Sequence, residues 1–214
     1  MLDSGLAYIT HRVLNQTIDC SNYNATGFML RHGMDVQADS GELGPLHTAA
    51  QEEYEEDFFD SVRTVHFLVT EGFADVNAQC SKGMTPLMGA VSKPPPSLRC
   101  GELDILTKLL QYGADLDMRD KEGETALHKA HPETLLPLLM HGANPNTQDH
   151  RGSAVLHKLA EQTGNEDNTA QLDVMVSFQA NSYIKNENGV SPYSMLMQSE
   201  RGQNYIKSRA HYFA

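Results

Sequence analysis

The chain has 214 residues, 40% of them hydrophobic and 21% charged, a balance that suits one globular domain or one compact repeat array. Its formal net charge of −12 argues against DNA, RNA or an anionic membrane as the main partner, because backbone phosphates need Lys and Arg to neutralise them. No run approaches the roughly 18 apolar residues of a membrane span, Met1–Gly5 lacks the features of a signal peptide, and Cys20, Cys80 and Cys100 are too few and too scattered for a disulfide framework or a zinc site, so a cytosolic setting is expected.

In chain order, a first pair of helices is expected over about residues 5–15 and 24–32, closing on Leu30-Arg31-His32-Gly33. A signature then recurs five times: Gly44-Pro45-Leu46-His47-Thr48-Ala49-Ala50, Thr85-Pro86-Leu87-Met88-Gly89-Ala90, Thr125-Ala126-Leu127-His128-Lys129-Ala130, Ala154-Val155-Leu156-His157-Lys158-Leu159-Ala160 and Ser191-Pro192-Tyr193-Ser194-Met195-Leu196. Each copy follows a second signature, Met34-Asp35-Val36, Ala74-Asp75-Val76-Asn77, Ala114-Asp115-Leu116-Asp117, Ala143-Asn144-Pro145-Asn146 and Ala180-Asn181-Ser182. Asp75 to Met88, Asp115 to His128, Asn144 to His157 and Asn181 to Ser194 are all separated by 13 residues, and Asp35 to His47 by 12. Four equal offsets mark internal repeats. Between them lie apolar residues at helical spacing: Val62 to Val69, Leu103 to Leu110, Leu135 to Leu139 and Leu172 to Phe178.

The local chemistry accounts for the signature. Proline at a first helical position has its φ preset and needs no amide partner. Thr85 and Ser191 can cap the helices that follow them. Leu46, Leu87, Leu127 and Leu156 face inward, and small residues such as Ala49, Ala90, Ala130 and Ala160 let helices approach. Gly33, Gly113 and Gly142 suit left-handed helix ends, and Gly83, Gly123, Gly152 and Gly189 suit turns with positive φ.

These motifs resemble those of the ankyrin-repeat family, whose units carry a T-P-L-H-x-A turn and end in G-A-D-V-N; the resemblance covers about residues 27–197. It implies an all-α solenoid of stacked helix-turn-helix units. The units run over residues 34–73, 74–113, 114–142 and 143–180, between an N-terminal capping unit at 1–33 and an incomplete C-terminal repeat and cap at 181–214. It also implies that His47, His128 and His157 tie one turn to the next and are structural.

The spacing inside the units is irregular. A unit of period near 33 places about 18 residues between the His position and the helix-ending position. Here the separations are 26 (His47 to Phe73), 25 (Met88 to Gly113), 14 (His128 to Gly142) and 22 (His157 to Gln179). The first insertion, Glu52-Glu53-Tyr54-Glu55-Glu56-Asp57-Phe58-Phe59-Asp60, reads either as a lengthened solvated helix or as a docking feature for a basic partner through Tyr54, Glu55, Glu56, Phe58 and Phe59. Its acids lack the alternation and turn glycine of a calcium loop. The second, around Pro94-Pro95-Pro96, reads as a stiff surface loop rather than a P-x-x-P ligand. Gln162 to Thr169 reads as a polar mobile loop. In the short third unit Pro137 is tolerable only if its helix begins near residues 133–134.

A search for chemistry finds no phosphate loop, no G-x-S-x-G, no reactive-cysteine context and no metal set; His128 and His131 are poorly placed as a pair, and His32 and His141 fit bonds to terminal carbonyls. No cofactor, metal or catalysis is expected. The resemblance implies a protein-interaction module, with the variable turn positions on a concave face selecting the partner: Ser81, Lys82 and Met84; Lys121, Glu122 and Glu124; His150, Arg151 and Ser153; Glu187, Asn188 and Val190. Gln51, Lys93, His131 and Glu161 extend that face. The family supplies adaptors, inhibitors and microbial effectors that act in a host cytosol. A regulatory or substrate-recruiting segment of a larger enzyme is the alternative. A monomer that binds another protein, and neither nucleic acid nor membrane, is expected.

Overall fold

A computed structural model describes residues 13, 16–18, 23–32, 43–51, 58–93, 104–163 and 167–212. Gly33, Met34 to Val36, Glu52 to Asp57, the proline run and the middle of the 162–169 loop lie outside the described residues. Among those described there are helices and turns and no strand. The chain divides into two compact units, residues 1–121 and 122–214.

The first unit contains α1 (Tyr23–Arg31), α2 (Pro45–Gln51), α3 (Phe58–Thr70), α4 (Pro86–Val91) and α5 (Asp104–Gln111). Pro45 and Pro86 open α2 and α4, and the Thr85 hydroxyl accepts the Met88 amide at 3.3 Å, which starts α4 with one of its orphan donors satisfied. The short helices α2 and α4 pack on each other; α3 packs on α1, α2 and α5, and α4 on α5. Leu46, Ala49, Val65, Leu68, Leu87, Met88, Val91 and Leu109 fill the space between the layers. Each large side chain so buried stabilises by about 1.5–3 kcal/mol. Contact at α2–α4 is close because Gly89 has no Cβ: one placed there would lie 2.6 Å from the Gln51 amide nitrogen.

The second unit contains α6 (Ala126–Lys129), α7 (Leu135–Met140), α8 (Val155–Gln162), α9 (Thr169–Ser177), α10 (Pro192–Leu196) and α11 (Glu200–Ser208), then a 3₁₀ turn over Ala210–Tyr212. α8 packs on α9 and α10, α6 on α7, α7 on α9, and α10 on α11. The core is Leu127, Leu135, Leu138, Leu156, Leu172, Met175, Leu196 and Tyr205. Shortening of the third repeat is expressed in both of its helices. α6 lasts four residues and Ala130 is already extended at ψ 132°, and Pro132 disfavours helical backbone at His131, so the helix cannot continue through it. α7 starts at Leu135 with Thr134 as its N-cap, so Pro137 is the third helical residue and its missing amide is one of the four that no helix satisfies.

Two features depart from the sequence reading. Left-handed helix-ending positions fall on Gly113 (φ 85°) and Gly142 (φ 97°) as expected, but Phe73 (φ 53°) and Gln179 (φ 63°) adopt the same conformation without being glycine. The 162–169 loop, read as mobile, is pinned at both ends: Thr163 and Asn168 are buried, the Asn168 amide donates to the Leu159 carbonyl at 2.7 Å, and the Thr163 hydroxyl lies 2.9 Å from the Asn168 side-chain oxygen. The tail is a true helical cap. Ser199 caps α11 through the Gly202 amide at 3.0 Å, and Arg209 and Tyr205 bind Asp173 of α9.

Candidate functional site

Each turn is built by a short polar residue that bonds its own backbone. Asp75, Asp115, Asn144 and Asn181 accept the amides of Asn77, Asp117, Asn146 and Tyr183 at 2.8 to 2.9 Å. Farther on, Asp149 accepts the amides of Arg151 and Ser153, both at 2.8 Å, and Asn186 those of Asn188 and Val190 at 3.1 and 3.0 Å. Gly83, Gly123, Gly152 and Gly189 follow with φ between 72° and 78°. Absence of a side chain is required twice over, since a Cβ on Gly83 would lie 2.9 Å from the Lys121 nitrogen and one on Gly152 3.0 Å from that of Glu187.

That close approach lets the turn tips form backbone rungs. In the first unit the Lys121 amide donates to the Lys82 carbonyl at 3.1 Å. In the second, His150 donates to Glu122 and Glu187 to Arg151, both at 3.0 Å. Side chains add further bridges. Asn77 donates to the Gly113 carbonyl at 3.2 Å and accepts the Asp115 amide at 2.8 Å; Asn146 does the same with Gln179 and Asn181 at 3.2 and 2.7 Å. Gln79 donates to the Gly83 and Arg119 carbonyls, each at 2.8 Å, and Gln148 to those of Gly152 and Lys185.

The histidines occupy the structural places implied for them. Nε2–H of His47 donates to the Met84 carbonyl at 2.8 Å, that of His128 to Ser153 at 3.2 Å, and that of His157 to Val190 at 3.2 Å. On the other side of the ring, Nδ1 of His128 accepts the Thr125 amide and Nδ1 of His157 the Ala154 amide, both at 3.1 Å. This network assigns the neutral tautomer with its proton on Nε2. Burial pushes the His47 imidazole below its ordinary value of 6.5, opposed by its backbone bond to Met84. His32 and His141 bond the carbonyls of Phe28 and Pro137 through Nδ1, both at 2.8 Å.

With the network satisfied, the expected turn residues separate into two groups. Ser81, Lys82, Lys121, Glu122, His150, Arg151, Glu187 and Asn188 are exposed at the tips. Met84, Ser153 and Val190 are half-buried and their carbonyls receive the histidines, while Glu124 is ion-paired with Lys129. The first-helix positions are partly consumed inside the fold: Lys93 donates to the Gln51 carbonyl at 3.0 Å, Gln51 covers Gly89, and the His131 ring accepts the Glu133 amide, whereas Glu161 is exposed. Of the rival acidic-aromatic segment, Tyr54, Glu55 and Glu56 lie outside the described residues, and Phe58 and Phe59 open α3.

Sequence reasoning missed three features. Leu136 and Met140 are exposed one turn apart on α7; Tyr183 is exposed with its ring centroid 5.2 Å from that of Tyr193; and Lys158 donates to the His128 carbonyl at 3.3 Å. The i, i+4 spacing of Leu136 and Met140 was readable, but which face of a six-residue helix is covered was not. A polar recess of about 430 Å³ lies between Asp167 and the Arg201–Tyr205–Arg209 face of α11. Its chemistry is spent internally. Arg209 grips Asp173 at 2.6 and 2.9 Å and holds that carboxyl below the usual range, and burial together with Asp173 pushes the Tyr205 phenol up. Among the described residues no group of three His, Cys, Asp or Glu could hold a metal, and no helix is long and apolar enough to cross a membrane.

Turn, rung and histidine relay recur from repeat to repeat, and residues 59–149 match the family model for ankyrin repeats in three copies. Residues 59–149 are therefore a run of ankyrin repeats. No curated protein matches it. Ankyrin repeats are general protein–protein interaction modules and typically non-catalytic domains. The helices starting at Pro45, Val155 and Pro192 lie outside the matched range; Pro45 and Pro192 share the proline start, and Asn144 and Asn181 make the same turn bond ahead of the latter two helices.

Proposed function

We propose that this ankyrin-repeat protein is a non-catalytic adaptor that binds a partner protein through its turn tips: Ser81, Lys82 and Lys121 in the first unit, and Glu122, His150, Arg151, Glu187 and Asn188 in the second. The observation that carries this reading is the division of labour within each turn. Lys82, Lys121, His150, Arg151 and Glu187 meet their neighbours through backbone atoms while their side chains stay exposed, whereas the surrounding Asn, Gln, His and Gly are fixed by bridges and φ. Specificity belongs on positions that the fold does not dictate. A monomer working in the cytosol fits the acidic composition and the few scattered cysteines.

Affinity capture from cell lysate tests it. Wild type is compared with a variant carrying Lys82→Glu, Lys121→Glu and Arg151→Glu, and with one carrying Tyr54→Ala and Phe58→Ala, each shown by circular dichroism to keep its helices. The tip variant should lose proteins that wild type retains. An unchanged set for the tip variant, with loss confined to the aromatic variant, would move the binding surface to residues 52–60.

A further inference from the structure

The rungs decide which tip charges become neighbours, and the two units differ. In the second unit each rung joins groups of opposite tendency: Glu122 with His150, and Arg151 with Glu187. In the first unit the rung joins Lys82 to Lys121 through a 3.1 Å backbone bond. Adjacent chains bonded in this way run about 4.8 Å apart, so two exposed lysines leave neighbouring stretches of backbone. Among the described residues neither has an ion-pair partner. Of the acids in the same loops, Asp75 and Asp115 accept the amides of Asn77 and Asp117, Asp120 is buried next to Lys121 and Glu124 pairs with Lys129, while Glu122, the residue after Lys121, is exposed on the rung with His150. A like-charge pair on one rung costs a little stability, and it stands out in a chain of net charge −12.

We propose that the Lys82–Lys121 rung is the docking point for an extended acidic segment of the partner protein. This deepens, and rests on, the reading of the turn tips as the binding surface. Side chains on one face of an extended chain lie about 7 Å apart, a separation that the two flexible lysines of this one rung can serve together. The exposed Ser81 hydroxyl adds a neutral donor next to Lys82, and the half-buried Met84 an adaptable apolar contact on the Gly83 side. Nucleic acid is the weaker candidate for the same cations. A polyphosphate brings charge far beyond the tip and meets the net −12 of the chain, whereas a short carboxylate segment is screened from it within about 8 Å.

The probe is a fluorescein-labelled peptide of alternating Glu and Gly, titrated by fluorescence anisotropy at low salt against the full chain, with a Lys-Gly peptide and an oligothymidylate as comparators. Wild type should bind the Glu peptide in preference to both, more weakly as salt rises. Lys82→Glu with Lys121→Glu should weaken binding by at least about tenfold, and Lys82→Gln with Lys121→Gln by less, while Lys207→Glu, the same charge change at an exposed position of α11 away from the turn tips, changes it less than about twofold. No binding of the Glu peptide by wild type, preference for the oligothymidylate, or equal loss in Lys207→Glu each overturns the proposal. If lysate partners are lost with Arg151→Glu and retained with the lysine variants, the acidic-segment inference fails while the turn-tip reading stands.

Discussion

His47 offers the most direct test of how the turns are held. Its ring is 2% exposed, its Nε2–H donates to the Met84 carbonyl at 2.8 Å, and burial depresses its pKa from 6.5. His47→Phe keeps most of the volume and removes the hydrogen bond. The Met84 carbonyl retains the Cys80 amide at 3.0 Å, so that acceptor is not left bare, and the cost should be about 1 kcal/mol. His47→Ala removes the ring as well, and the cavity raises the total to about 3 kcal/mol. The pH dependence follows from the sign of the shift. The folded state binds the proton more weakly than the unfolded state, so the unfolded chain takes up more protons as pH falls through 6.5. Stability is full above that value and declines toward the lower, folded pKa. Urea unfolding followed by circular dichroism, on wild type and His47→Phe on either side of pH 6.5, should show a smaller acid loss in the variant. The other nine histidines are common to both proteins, so the difference isolates His47. Equal acid loss in the two proteins would refute the argument.

Gln179→Gly should stabilise by up to about 1 kcal/mol in urea unfolding, because it relieves a left-handed residue at φ 63° while keeping the carbonyl that Asn146 bonds; a loss would mean that the Gln179 side chain stabilises the fold. Gly202→Ala should cost about 2–3 kcal/mol or prevent α11 from docking, since its Cβ would lie 2.1 Å from the Leu196 carbonyl oxygen, and limited proteolysis should then cut after α10. Gly89→Ala should cost less, because its Cβ would meet the Gln51 side chain, with Nε2 at 2.6 Å and Cγ at 2.8 Å, rather than backbone, and that side chain can be repositioned; equal destabilisation by the two glycine changes would contradict the distinction. Arg209→Ala should expose the tail to protease at neutral pH and return the Asp173 carboxyl, titrated by NMR, toward its ordinary pKa; an unmoved titration would show that Arg209 is not what holds it down.

The sequence by itself determined what depends on local backbone geometry. Proline starts, Thr and Ser caps, turn glycines and the fixed offset between the Asp/Asn and His positions are set within one unit, where each residue type answers to a φ angle or an orphan amide, so they could be read without knowing what lies alongside. Pro137 belongs here too: an interior proline needs a nearby helix start, and α7 begins two residues before it. The candidate tip residues were legible as positions left over once those demands were met. Phe73 and Gln179, at helix-ending positions that the spacing marks, are left-handed without being glycine, and local bonds such as Ala74 to Leu68 and Ala180 to Met175 close those helices. Tertiary structure decided what depends on register between units of the repeat. Asp173 meets Tyr205 and Arg209 across 32 and 36 residues, a pairing that no local rule anticipates. The joining of Lys82 to Lys121, and of Arg151 to Glu187, is likewise a consequence of stacking: sequence gives each charge, but only the contact between turns, close enough to exclude a Cβ, sets which charges stand side by side.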